Sequence, residues 1–275
     1  MGDLRKNFDS IYRERILGER FCEVPSYYVE HRPRYLWTVE RLRGLYPDHI
    51  PSVLEVGGGQ IALMMNGLFG SPGLVVDLTE QWADPVRKHG LEFRVGDLVH
   101  DDLEVGVFDI VVLCEVIEHM PIPGHLVIEK LARWLKPGGI LLMTTPNLYR
   151  LRNLCRMALG MPLFCPLRYP PRGGGIGHPF EYSPDNLRWQ VEEAGLELVS
   201  IERRQLTNTG ATVLANIARK ACSPLMMIPR FRDQLVAIAR KTAVSDMPVR
   251  LATDTPSIVK SRYLGSGPSL ARLGS

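Results

Sequence analysis

The chain has 275 residues and a mass of 30.9 kDa, with 45% apolar and 23% charged residues, so it is long enough to bury a full core without disulfide or metal staples. The net charge of +3 is too small to indicate a nucleic-acid partner, and no DNA contact is expected. No apolar run approaches the ~18–20 residues of a transmembrane helix, no signal-peptide pattern follows Met1–Lys6, and five scattered cysteines without a C-x-x-C pair argue for a reducing, cytoplasmic setting rather than a disulfide scaffold or a Cys-based zinc centre.

Helical spacing of Arg, Glu and apolar residues predicts two helices, over 4–20 and 29–46, with Pro25 and Pro47 as punctuation. Short apolar runs then follow. Val53–Val56 ends in three glycines, Leu74–Asp77 ends in an acid, and Leu91–Val95 leads into Gly96-Asp97. Phe108–Leu113 is almost continuously apolar, as a strand buried on both faces should be. A helix is expected over 124–136, and Gly138-Gly139 opens a strand at Ile140. This alternation predicts an α/β fold: a Rossmann-like, doubly wound and mostly parallel sheet with helices on both faces.

Residues 161–184 break the pattern with six prolines and four glycines. A stretch this long without periodicity reads as a lid inserted over the sheet edge. Ser183 should cap a helix Pro184–Ala194. A strand Leu196–Ile201, a helix over 210–222 and a last strand Gln234–Ala239 follow. Residues 203–275 hold twelve Lys/Arg against three Asp/Glu, a local +9, and 243–275 read as a flexible tail. The expected organisation is an N-terminal helical extension over 1–48, a main domain over 49–242 and that tail.

Chemistry concentrates at strand ends. Glu55-Val56-Gly57-Gly58-Gly59 joins a strand to a helix, where glycines let the backbone turn sharply and approach a ligand. Asp77 lies twenty positions after Gly57 at the end of the next strand, suited to accept ribose hydroxyls, and Asp97 ends the third strand in the same way. Three acids at the carboxyl ends of successive strands face one crevice, where open α/β sheets bind ligands. Together with Phe108–Val111 and Leu135-Lys136-Pro137-Gly138-Gly139, these ordered segments resemble the motifs of class I S-adenosylmethionine-dependent methyltransferases over about 50–146. The family's first loop usually reads G-x-G-x-G; here the last position is Ile61. The resemblance implies S-adenosyl-L-methionine as cofactor, with Gly57 and Gly59 beside the methionyl part, Glu55 ordering the loop, Asp77 on the ribose, and Asp97 and Leu98 at the adenine. Leu78 and Cys114 are counted with them.

Directly after the fourth strand comes Cys114-Glu115-Val116-Ile117-Glu118-His119. On a helical turn, positions 115, 118 and 119 share one face. Two close carboxylates repel unless a cation or proton lies between them, and oxygen donors with an imidazole suit Mg²⁺ or Mn²⁺ better than structural zinc. His178 in the lid could complete a set of Glu115, Glu118, His119 and His178. This E-x-x-E-H with a distant His resembles small-RNA 3′-terminal 2′-O-methyltransferases and ubiquinone-pathway O-methyltransferases. Three readings stand open: a bound metal, a metal-free general base with His119, Glu118 and His178 as catalytic residues, and a structural role.

A metal would lower the pKa of an acceptor hydroxyl, and a diol could chelate through two oxygens. The expected activity is therefore O-methylation of a hydroxyl on a carbohydrate, glycoside or related metabolite (a small-molecule or saccharide acceptor), with Arg168, Tyr169, Arg172 and Tyr182 as candidate sugar contacts. The alternatives are N- or C-methylation of an aromatic or quinone-like metabolite, RNA 2′-O-methylation, and a non-catalytic cofactor-binding scaffold. A homodimer is compatible with this reading.

Overall fold

Strands form where short apolar runs are bounded by glycine or acid. They are β1 Val53–Val56, β2 Gly73–Asp77, β3 Glu92–Val95, β4 Phe108–Cys114, β5 Leu135–Pro146, β6 Glu197–Arg204 and β7 Gln234–Arg240. In this computed structural model the described residues are 2–19, 25–166, 177–206, 220 and 223–242, and all lie in one unit, Met1–Thr242. The seven strands form a single sheet in the order β3-β2-β1-β4-β5-β7-β6. All pairings are parallel except those of β7, which runs antiparallel to both β5 and β6.

Alternation along the strands fills two cores. Val53, Val75, Ile110, Val112, Ile140 and Leu142 face one side. Leu54, Val76, Val111, Leu113, Leu141 and Met143 face the other. Both faces are buried, which explains why the central strands read as unbroken apolar runs. The second face is covered by α5 Gly124–Arg133 and α7 Pro184–Glu193. As expected, the Ser183 hydroxyl caps α7 by accepting from the Asn186 amide at 3.1 Å.

The first face takes α3 Gln60–Phe69, α4 Ala83–Lys88 and the two N-terminal helices, α1 Gly2–Tyr12 and α2 Pro25–Leu45. α1 continues as a π-helical turn, Arg13–Leu17. α2 starts at Pro25 because the first helical position tolerates a missing N–H. Phe8, Tyr12, Tyr28 and Tyr35 belong to the same core as Val53 and Ile110, so the N-terminal helices share the buried core of the sheet.

The boundaries expected near 136 move. α5 stops at Arg133, and β5 begins at Leu135 because Gly138 and Gly139 pair with Lys241 across the β5–β7 edge (2.8 and 3.0 Å). The expected lid divides. Residues 167–176, with Arg168, Tyr169 and Arg172, lie outside the described residues, as do almost all of the helix expected over 210–222 and the tail 243–275. Residues 181–184 are not part of a movable cover: Tyr182 is 4% exposed, forms a bridge with Asn147, and accepts from the Leu148 amide at 3.0 Å. One further helix of interest, α6 Leu151–Ala158, follows β5.

Candidate active site

The carboxyl ends of β1, β2 and β4, with the segment after β3, border a cavity of about 230 Å³. Its first wall is the turn after β1. Gly57 and Gly59 have φ of +86° and +102°. A Cβ on Gly57 would meet Val116 Cγ2 at 2.7 Å, and one on Gly59 would meet Val75 Cγ2 at 2.9 Å. The chain can make this turn only with glycine at both places.

Glu55 sits behind that turn. It is fully enclosed, and its Oε2 accepts from the Ala62 amide at 2.7 Å at the start of α3. Burial pushes its carboxyl up to about 8, against the pull of the backbone amides of Ala62 and Ile61. The sequence places Glu55 as the residue that orders the loop, and the geometry gives it that contact; Glu55, Gly59 and Cys114 are not on the cavity surface. Burial raises the Cys114 thiol to about 12, so it is held as the neutral thiol.

Asp77 ends β2 and faces the cavity. Its two oxygens accept from the amides of Gly58 (2.8 Å) and Thr79 (3.1 Å). The acid therefore ties the glycine turn to its own strand end. Asp97, after β3, accepts from the Val99 amide at 2.8 Å and pairs with His100 at 2.8 Å, while Leu78 and Leu98 add apolar wall. These groups make one half of the crevice: two carboxylates, a glycine turn and apolar side chains.

The other half corrects the expected shared helical face. β4 stops at Cys114, and Glu115 takes φ +57°, the left-handed region, where no other described non-glycine residue stands. Only Ile117–His119 then form a 3₁₀ turn. Glu115 is thus held by partners other than the 3₁₀ turn. It accepts from Thr144 Oγ1 at 2.8 Å and Gln234 Nε2 at 2.9 Å, and lies 3.4 Å from the Arg34 guanidinium. Arg34 comes from α2, is buried, and stacks near the rings of Tyr27 and Tyr35. Burial opposes its charge, and Glu115 beside it more than restores that charge. The four-residue set of Glu115, Glu118, His119 and His178 is not assembled, because Glu115 takes the left-handed conformation itself and gives its carboxylate to Thr144, Gln234 and Arg34.

The remaining three do converge. Glu118, His119 and His178 offer ligand atoms within 4.8 Å of one another. His119 lines the cavity, contacts Gly177 O through Nδ1 at 3.1 Å, and meets the His178 ring edge-on at 4.4 Å. Glu118 is fully buried; its Oε2 accepts from Thr145 Oγ1 at 3.0 Å, and its Oε1 has no hydrogen-bond partner among the described residues. Burial, then the charge of Glu115, holds the Glu118 carboxyl well above the usual carboxylate range.

Sequence reasoning missed Arg34, Thr144, Thr145 and Gln234. Their only signal was polarity out of place. Two threonines end an apolar strand, and Gln234 opens the run Leu-Val-Ala-Ile-Ala.

Comparison with known proteins agrees with this geometry. A family profile described as a methyltransferase domain matches residues 28–201. A ubiquinone biosynthesis O-methyltransferase of Xanthomonas oryzae is 36% identical over 105 residues, 34% of this chain and 43% of the relative, so less than half of that relative's length is spanned. One from Erwinia tasmaniensis is 30% identical over 183 residues, 62% of this chain and 72% of the relative. Among solved structures, a SAM-dependent methyltransferase of Methanosarcina mazei superposes with a TM-score of 0.52 at 17% identity, over 73% of this chain and 97% of the other, which speaks for the fold.

Proposed function

The chain belongs to the methyltransferase-domain family, of class I S-adenosylmethionine-dependent type, and on that premise we propose that it methylates a hydroxyl oxygen of a small molecule. The observation that carries this is the single cavity holding Asp77, Asp97 and the Gly57 turn on one side and His119 on the other. The residues suit the cofactor. The turn leaves no room for a Cβ at Gly57, so backbone lines the wall there. Asp77 and Asp97 offer acceptors to ribose hydroxyls and adenine, and the apolar wall of Leu78 and Leu98 suits a flat base. When bound, S-adenosylmethionine supplies an electrophilic methyl group on a sulfonium. The chain's own task is to align the acceptor oxygen, exclude water and manage one proton.

That proton is handled at Glu118, His119 and His178. A buried Glu118 with one orphaned oxygen is costly, and a divalent cation beside it would favour the carboxylate and occupy that oxygen. Mg²⁺ or Mn²⁺ held by these three residues would lower the pKa of a coordinated hydroxyl. Glu115 is outside this set and serves as the partner of Arg34. The second reading, without metal, makes His119 the base, because its ring stands on the cavity wall.

For the acceptor, the curated relatives' names favour a phenolic, quinol-type hydroxyl over a saccharide. The sugar contacts expected from sequence give no support. Tyr182 is buried, and Arg168, Tyr169 and Arg172 lie outside the described residues. The test is calorimetry with S-adenosylhomocysteine, followed by methyl transfer to catechols, monophenols and glycosides. Binding with transfer to a catechol is the expected result. A folded protein that does not bind the cofactor product overturns the reading.

A further inference from the structure

The segment that brings His178 to His119 holds a buried carboxylate that the methyl transfer itself does not engage. Glu181, three residues on, has a side chain only 3% exposed, and it does not line the cavity. Arg150, at the N-cap of α6, donates to its Oε1, and Asn153, in the first turn of that helix, donates to its Oε2 through Nδ2. Asn153 is fixed in turn: Nδ2 also donates to the Leu148 carbonyl at 3.0 Å, and Oδ1 accepts from Arg150 Nε at 3.2 Å. Both oxygens of Glu181 are thus held from the stretch that follows β5. A pair shielded this far from water adds little to stability by itself, because desolvation offsets much of its attraction.

What the pair does hold is a ring. His178 Nδ1 lies 3.9 Å from the same Oε1, longer than a hydrogen bond, as contacts of catalytic imidazoles often are before substrate binds. The His178 carbonyl accepts from the Cys165 amide at 3.0 Å, so the backbone is anchored separately from the ring. His119 is arranged alike, with Nδ1 at 3.1 Å from Gly177 O. A ring nitrogen that faces an oxygen acceptor carries the proton, and the lone pair of the neutral ring then lies on Nε2. Both imidazoles, edge-on with centroids 4.4 Å apart, therefore turn Nδ1 towards an acceptor. Glu118 adds a carboxylate oxygen within 4.8 Å of their ligand atoms. A cluster that is to take up a proton or a cation needs lone pairs, and the wrong tautomer of His178 would put an N–H in place of one.

We propose that Glu181, clamped by Arg150 and Asn153, is a positioning residue that keeps the proton of His178 on Nδ1, so that the ring offers Nε2 to the cluster with Glu118 and His119. The proposal rests on the reading of those three residues as the proton-handling set. Glu181→Met removes both acceptor oxygens at similar length and leaves Arg150 without its counter-charge, so Tm should fall. Adding Arg150→Met removes the unpaired cation and should return Tm towards wild type. The ring proton is read from two-bond ¹H–¹⁵N spectra of the full chain, labelled in histidine, with S-adenosylhomocysteine at about pH 9, above the ordinary imidazole range. Loss of one signal in His178→Gln assigns it. In the wild type the proton should sit on Nδ1; in the single and the double Met variant it should shift towards Nε2. Both variants should lose roughly 10–100-fold in kcat, with S-adenosylhomocysteine affinity unchanged. A wild-type proton on Nε2 overturns the proposal, as does a double variant that regains the wild-type tautomer and kcat together with Tm, since Glu181 would then serve the fold alone. The tautomer needs neither acceptor nor turnover, so a chain that methylates no hydroxyl refutes the reaction assigned above while the His178 signal still decides the role of Glu181.

Discussion

The two halves of the crevice are built by different rules. The half around β1–β3 is local. Each contact joins a residue to a neighbour at a strand end: Asp77 to the amides of Gly58 and Thr79, Asp97 to the amide of Val99, and Glu55 to the start of α3 seven residues on. The half after β4 is assembled from distance. Glu115 draws partners from α2, β5 and β7, and His119 meets a histidine 59 positions later in sequence. The first half is scaffold chemistry that suits a constant cofactor, and the second pins a strained segment in place from several sides. Perturbing either half should therefore produce effects of different kinds.

The largest expected effect lies in the second half. If Glu118, His119 and His178 hold a divalent cation, EDTA should abolish turnover, and Mg²⁺ or Mn²⁺ should restore it, while cofactor affinity stays put because Asp77 and Asp97 stand on the other side. Glu118→Gln should copy the EDTA effect without rescue. Turnover that survives EDTA but is lost in His119→Ala hands the proton to the imidazole alone.

Next in size is the cost of breaking the long-range pin. Glu115→Ala leaves the buried Arg34 guanidinium without its counter-charge, for a loss of about 3–5 kcal/mol. Removing the charge on the other side as well, with Arg34→Met, should return part of that stability, since an unpaired buried charge costs more than an apolar side chain of similar length. Thermal unfolding of the single and double variants measures the coupling. Additive losses would show that the pair is not the pin.

What could be read from the sequence follows the same division. The central strands, the sheet's carboxyl edge and the acids at its strand ends were legible because local pattern determines them: apolar runs, glycine turns and an acid at a fixed offset. The segment after β4 was misread as a helical face. The spacing of Glu115, Glu118 and His119 suits a helix, but tertiary partners hold Glu115 in the left-handed region. No spacing rule brings in Arg34 or Gln234, whose contacts with Glu115 span long stretches of sequence. The direction of β7 was equally invisible, since an apolar run does not state whether it pairs parallel or antiparallel.

In the local half the effects should be smaller and separable from folding. Asp77→Ala removes a carboxylate on the cavity wall, and loss of two charge-assisted hydrogen bonds at roughly 1.5–3 kcal/mol each predicts at least a tenfold weaker cofactor affinity by calorimetry. The same change frees the amides of Gly58 and Thr79, both near solvent, so Tm should fall only slightly. A collapse of Tm comparable with that of Glu115→Ala would erase the distinction between the halves.

A further expected effect is a pH signature of Glu55. Its carboxyl rises from an ordinary value of 4.5 to about 8 in the folded chain, chiefly through burial. Between those two values the folded state holds a proton that the unfolded chain has released. Stability from this group is therefore complete below about pH 4.5 and declines as pH rises towards 8, by at most about 1.4 kcal/mol per pH unit. Above that window the loss levels off, because both states are ionised. Glu55→Gln keeps the shape and an oxygen to accept from Ala62, and it cannot ionise. Urea unfolding of the two proteins at intervals from about pH 5 to about pH 9 should show the Gln variant gaining on wild type as pH rises, with the gap flat at the top of the range. Glu118 is raised in the same direction and contributes equally to both proteins, so the difference isolates Glu55. A gap that does not change with pH would mean that Glu55 is ionised at neutral pH, and that the amides at the head of α3 outweigh its burial.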